Sequence, residues 1–365
     1  MTARAAIQRV ILTIVASMTV TTGVLAWGPY GHTEVGAIAD ALLKADHPRA
    51  AAQVRAILGD VTLAQAGPWG DCVRSVSDPA DGFHYKPEEQ YRPPCLVFEG
   101  GARQTSMENY VRNNWGTWPG CEKERDGCHS QFHFVNMALQ RSNYRFGDVG
   151  TRDFDIVQTM NAAIAVLRTP DCSGPNPPAT TEVHAPGNFH FTCSQALMML
   201  VHLIGDLHQP LHVGSIYLDE RGGRVDPDSS AAERDRALRS RITFNLGGNS
   251  LTWPNPTPDK KPLNLHSMWD GAPSIVRSDA VAAARRVRPT DGDMDGWVAE
   301  WANDTRSQAV RAFNGLTFGP KQGNTWRVNF DNREDYDRAR EAIQREQIAK
   351  GGARLAQLLA AIWPD

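Results

Sequence analysis

"FTCSQALMMLVHLIGDLHQPLHVG", residues 191–214, is the stretch from which the rest of the chain can be read. Apolar residues run through it without the alternation of a strand, and Pro210 cannot continue a helix. The pattern predicts a long buried helix that stops near Gln209. Yet the same apolar segment carries His202, Asp206 and His208, with His212 just beyond. Such groups are costly to bury unless each finds a partner. His202 and Asp206 are four residues apart and share a helix face. The spacing recurs in "NLHSMWD" (264–270) as His266 and Asp270. Two helical turns each present an imidazole and a carboxylate, the nitrogen and oxygen mixture that zinc accepts. His208 is turned away from His202 and reads as a structural histidine.

Helical patterns dominate elsewhere. "HTEVGAIADALLK" (32–44) and "DIVQTMNAAIAVLR" (155–168) have helical spacing. "RAREAIQREQIAKGGARLAQLLAAIW" (338–363) reads as a charged helix, a Gly-Gly break and an amphipathic helix. Strand patterns are scarce; "ITFNLGG" (242–248) is the best candidate for a short one, and at most a short hairpin is expected. Long loops rich in Pro and Gly fill 77–131, 169–191 and 214–262. No repeat or low-complexity linker divides the chain. The expected fold class is mainly α: a single helical domain with long loops. Within it, 78–131, rich in aromatics, and 218–243, rich in charge, look like loop insertions, the second of them solvated and mobile.

The chain has 365 residues and a formal net charge of −3, which gives no basic footprint for gripping a polyanion. Arg4 and Arg9 precede the apolar run "VILTIVASMTVTTGVLA", closed by Val24-Leu25-Ala26. This reads as a signal peptide over 1–26, in preference to a membrane anchor, because the run is short and no stop-transfer charge follows. Cleavage would make Trp27 the first residue and leave 36 basic against 41 acidic groups. No later stretch is apolar enough to span a bilayer. Six cysteines, Cys72, Cys95, Cys121, Cys128, Cys172 and Cys193, suit an oxidising, secreted or periplasmic setting. Cys172 with Cys193 is the first pairing expected, since they flank a Pro-rich loop. Cys121, Cys128 and His129 offer a metal-binding alternative to disulfide pairing.

Three further stretches carry candidate chemistry. "WGPYGH" (27–32) places His32 five positions after Trp27, whose freed amine and carbonyl can chelate a metal. "PWGDCVR" (68–74) contributes Asp71 and Arg74. "QFHFVN" (131–136) contributes His133, Phe134 and Asn136. Taken in order with "GGN" (247–249), "HLIGDLHQPLHVG" and "NLHSMWD", these motifs resemble the single-strand-specific zinc nucleases of fungi, plants and bacteria, which are related in fold to zinc-dependent phospholipase C.

The resemblance implies three zinc ions per chain. Asp71, His133, His202 and Asp206 would hold one, and His212, His266 and Asp270 a second. Trp27, His32 and a bridging Asp206 would hold the third. Trapped cations would then partner the buried imidazoles and carboxylates, and supply the positive charge that the surface lacks. Zinc makes hydroxide available near neutral pH. The implied activity is endonucleolytic hydrolysis of single-stranded DNA and RNA to 5'-phosphorylated products, with 3'-nucleotidase activity as a variant. Asp71 would orient the attacking group, Arg74 would contact the phosphoryl oxygens, and Phe134 would stack on a base beside Asn136. The family often has Asp where Asn136 stands, which bears on base preference. The interval from Asp71 to His133 is longer than usual in the family, so His84 rivals His133 as a ligand. Arg74 in a surface ion pair and Phe134 in the core are the plainer alternatives. A zinc phospholipase C and a non-catalytic zinc-binding secreted protein are the rival functions; a monomer is expected.

Overall fold

The computed structural model describes residues 28–365 apart from 88, 90, 91, 120, 122–126, 179 and 241–244. Residues 1–26, read from the sequence as a signal peptide, and Trp27 lie outside the described residues. The fold is mainly helical, as the sequence implies. Its centre is the helix Cys193–Leu207, almost every residue of which is buried. A capping box starts it: the Thr192 hydroxyl accepts from the Gln195 amide, and the Gln195 side chain accepts from the Thr192 amide at 2.9 Å. His208 ends it, and Pro210 opens a separate turn, Pro210–Val213.

Helices Pro29–Asp46, Ile156–Leu167, Met294–Ala312 and Arg333–Ile362 pack around this centre. The Asp155 carboxylate caps Ile156–Leu167 by accepting from Val157 and Gln158. His208 behaves as the structural residue expected of it. Fully buried, it donates from Nδ1 to the Ile204 carbonyl and accepts on Nε2 from Arg354. A second apolar cluster, built on Trp269, Phe313, Trp326 and Tyr336, lies behind the short helix Leu265–Asp270. Trp269 Nε1 donates to the Tyr336 hydroxyl at 2.8 Å, and that hydroxyl donates to the Ala312 carbonyl. Burial on this side fixes the helix that carries His266 and Asp270.

Several local expectations are corrected. Gly351 and Gly352 do not break the last helix, which runs unbroken from Arg333 to Ile362. They let it lie against Pro29–Asp46: a Cβ on Gly352 would stand 2.5 Å from the Cβ of Ile38. Of the "ITFNLGG" strand, residues 242–244 lie outside the described residues, and Leu246–Gly248 is a 3-10 turn. The longest hairpin among the described residues is Leu316–Gln322 with Thr325–Phe330, turning at Gly323 with φ of +59°. It belongs to a four-stranded sheet with Leu251–Trp253 and Leu263–Asn264. The long loops also contain helices, Gly101–Asn113 and Ala231–Ser240. The former buries Met107, Tyr110 and Val111 despite a polar sequence. The 218–243 segment thus carries a helix, most of whose residues are exposed.

Cys172 pairs with Cys193 as expected, Cys72 with Cys95, and Cys121 with Cys128. The last pairing removes the Cys121, Cys128 and His129 metal alternative, because a disulfide has no thiolate to offer. Among the described residues no helix is long and apolar enough to cross a membrane. The close helix contact predicts that Gly352→Ala destabilises the fold by about 1–3 kcal/mol through overpacking. Chemical denaturation measures this, and an unchanged midpoint would contradict the contact.

Candidate metal centre

Asp206 occupies the middle of the site, fully buried on the last turn of Cys193–Leu207. Four imidazoles from four parts of the chain reach its carboxylate. His202, one turn back, approaches to 3.1 Å and His133 to 3.0 Å, both on Oδ2. His32, from the first turn of Pro29–Asp46, lies 3.3 Å from Oδ1, and His212 lies 3.5 Å from the same oxygen. Asp270 receives His266 at 3.4 Å and His212 at 3.8 Å. Three groups place their ligating atoms within 4.8 Å of one another: His32, Asp71 and His202; His133, His202 and Asp206; His212, His266 and Asp270. All eight metal-ligand candidates among the described residues thus converge. His202 belongs to two groups, and His32 joins Asp71 as well as Asp206. His84 is exposed and belongs to none of the groups.

Backbone carbonyls aim the rings. His202 Nδ1 lies 2.8 Å from the Gly67 carbonyl, His212 Nδ1 2.9 Å from that of His133, and His266 Nδ1 2.8 Å from that of Gly247. A carbonyl only accepts, so each Nδ1 carries a proton and each Nε2 faces the carboxylates of the centre. Gln209 holds Asp270 in the same manner, donating to Oδ1 at 2.7 Å. None of these partners has a sequence signature beyond proximity to a ligand. Two glycines have a clearer one. A Cβ on Gly205 would stand 2.4 Å from His32 Nδ1, and one on Gly70 2.2 Å from the His202 ring. The glycine within "HLIGDL" and that within "WGDC" are seats for imidazoles.

The fit to a cation follows from what the protein leaves unsatisfied. His32 Nδ1 and His133 Nε2 are buried without a hydrogen-bond partner. His133 Nδ1 also lies 3.0 Å from His202 Nε2. Buried polar atoms are rarely left this way unless something else partners them. Imidazole and carboxylate donors of this mixture suit zinc. Electrostatics agree. Burial opposes charge on Asp206, yet His212 and His202 hold it well below the usual carboxylate range. Burial also pulls His212 down, but Asp206 and Asp270 outweigh it and push it up to about 9. His133, where burial wins, falls to about 4.

The centre opens on a cleft of about 470 Å³. His133, His212 and His266 line it, as do Arg74, Phe134 and Asn136. Phe132 fills the core while Phe134, two residues on, is half-buried at the cleft. The structure thus brings every substrate-contact candidate to the face on which the metal ligands open. Asn136 is held by its backbone, with N–H to the Gly150 carbonyl and C=O from the Tyr217 hydroxyl.

The S1/P1 nuclease family profile matches residues 103–364, most of the chain, so this protein belongs to the S1/P1 nuclease family. The matched stretch contains six of the eight ligand candidates; His32 and Asp71 precede it and are joined to them by the fold. The chain is also similar to Endonuclease 4 of Arabidopsis thaliana, with 25% identity over 198 residues. That alignment covers 48% of this chain and 52% of the relative, so the chain spans about half the length of the curated relative it matches.

Two predictions follow from the geometry. Gly205→Ala displaces His32 and lowers zinc affinity by about tenfold or more; undiminished binding in a zinc titration would contradict the seat. His212 is protonated at neutral pH without metal, so binding must expel that proton. Apparent zinc affinity therefore rises with pH and levels off above about 9, as calorimetry in buffers of different ionisation enthalpy can measure. A flat profile below pH 9 would refute it.

Proposed function

We propose that the chain is a secreted or periplasmic zinc-dependent endonuclease that hydrolyses single-stranded DNA and RNA to 5'-phosphorylated products. One domain over 27–365 would act as a monomer after removal of residues 1–26. The observation that carries the reading is the convergence of His32, Asp71, His133, His202, Asp206, His212, His266 and Asp270 beside a cleft lined by Phe134. Three disulfides favour an oxidising compartment. A 3'-nucleotidase activity would use the same site.

Those eight side chains, with the amine and carbonyl of Trp27, would hold three zinc ions. Zinc bound there supplies Lewis acidity, polarising a phosphoryl oxygen and making hydroxide available near neutral pH. The rest falls to the chain's own groups. Arg74, at the cleft, offers a charge-assisted donor to the phosphoryl oxygens. Phe134 takes the face of an unpaired base, an interaction of about 1–3 kcal/mol that is indifferent to base identity. Asn136 lies beside it with an amide able to donate and accept along a base edge. A duplex stacks its base faces away, so this arrangement selects unpaired strands. Asp71, only partly buried, joins the ligand cluster and precedes Arg74 by three residues.

Asp71→Asn tests the assignment. Zinc content should fall, and hydrolysis of denatured DNA should drop by about 100-fold or more, measured by elemental analysis beside a cleavage assay. Full zinc with wild-type cleavage would refute it.

A further inference from the structure

The cleft has a wall that neither the ligands nor the base-contact residues account for. It comes from the helix Ala231–Ser240 and the turn at Leu246. The helix is fastened to the cleft rim. Arg234 Nη1 donates to Asp228 at 2.7 Å, and Arg234 Nη2 donates to the Gly147 carbonyl. The same Asp228 carboxylate accepts from the Val149 amide at 3.2 Å, and Val149 itself lines the cleft. Ala237 packs against the small cluster of Ala138, Val149 and Tyr217. The next residue, Leu238, has no such cover: it is 64% exposed and lines the cleft.

Leu246 is 50% exposed in the same cleft. Its backbone sits at φ of +54°, a region that a branched, non-glycine residue enters only against strain. The buried Asn245 enforces the turn by accepting from the Gly248 amide at 2.8 Å. Gly247, between them, orients His266. A single exposed leucine needs no explanation. Two on the wall of a polar, metal-ligating cleft, one held there under strain, suggest an apolar partner that arrives with the substrate.

We propose that Leu238, together with Leu246, receives the base of a second unpaired nucleotide, so that the cleft is built for at least a dinucleotide. The inference rests on the nuclease reading and deepens it. Phe134 takes one base, and the leucine wall takes a neighbour that a mononucleotide lacks. Leu238 is then a determinant of chain-length preference.

The test uses the full, zinc-loaded protein with Leu238→Ser and Leu238→Trp. Fluorescence anisotropy gives Kd for a labelled phosphorothioate tetrathymidylate and for a labelled thymidine monophosphate, and kcat/KM is measured on the matching cleavable substrates. The proposal expects the tetranucleotide-to-mononucleotide affinity ratio to fall about fivefold with Ser and to exceed the wild-type ratio with Trp. An unchanged ratio in both variants overturns it, as does a parallel loss for both ligands. A change confined to phosphatidylcholine vesicles would make the occupant an acyl chain and overturns it too. Should the wild-type protein bind and cut neither nucleotide substrate, the nuclease reading fails; should it cut both with no effect at Leu238, only the leucine proposal fails.

Discussion

A buried carboxylate surrounded by imidazoles is the constraint on which the site depends. Asp206 is removed from water, and among the described residues no lysine or arginine pairs with it; His32, His133, His202 and His212 do the compensating. Those histidines come from the first helix, the segment before Ile156–Leu167, the central helix and the turn after it. One charge therefore holds four parts of the chain in register. Loss of that convergence would leave a charge buried without partners, among the most destabilising changes open to a protein interior.

The surroundings of the cluster limit how it can relax. Three carbonyls fix the proton on Nδ1 of three ligands, and two glycines give the His32 and His202 rings room to lie close to the backbone. Two disulfides reinforce the same segments, since Cys72 follows Asp71 and Cys128 precedes His133 by five residues. A cluster preorganised in this way need not pay ordering entropy again when cations arrive. The second apolar cluster has a similar role for His266 and Asp270, which ride on a helix only six residues long. A helix so short owes its geometry to the packing of its own Trp269 against Tyr336 rather than to its internal hydrogen bonds.

Much of the chemistry was legible because it is local. The four-residue spacing of His202 with Asp206, and of His266 with Asp270, places each pair on one face of a helix whatever the rest of the chain does. Pro210 ends the central helix for an equally local reason. Glycine misled where its context was distant: Gly351-Gly352 looks like a break, but Ile38, more than 300 residues earlier, needs the space. The described end of "ITFNLGG" departs from a strand for a nearer reason: Asn245 captures the Gly248 amide and makes Leu246–Gly248 a 3-10 turn. The helix Gly101–Asn113 was hidden by a polar composition, its burial resting on three residues alone.

Sequence alone determined which side chains could ligate, which helices would be buried and which family the motifs resemble, because short-range periodicity and residue chemistry are carried by neighbours. Only the tertiary structure decided how those ligands group, with His202 common to two sets, which carbonyls aim them, and that Leu238 and Leu246 share the cleft with Phe134. Those outcomes depend on segments tens to hundreds of residues apart meeting at van der Waals distance. No local pattern encodes such meetings; close packing around one buried charge does.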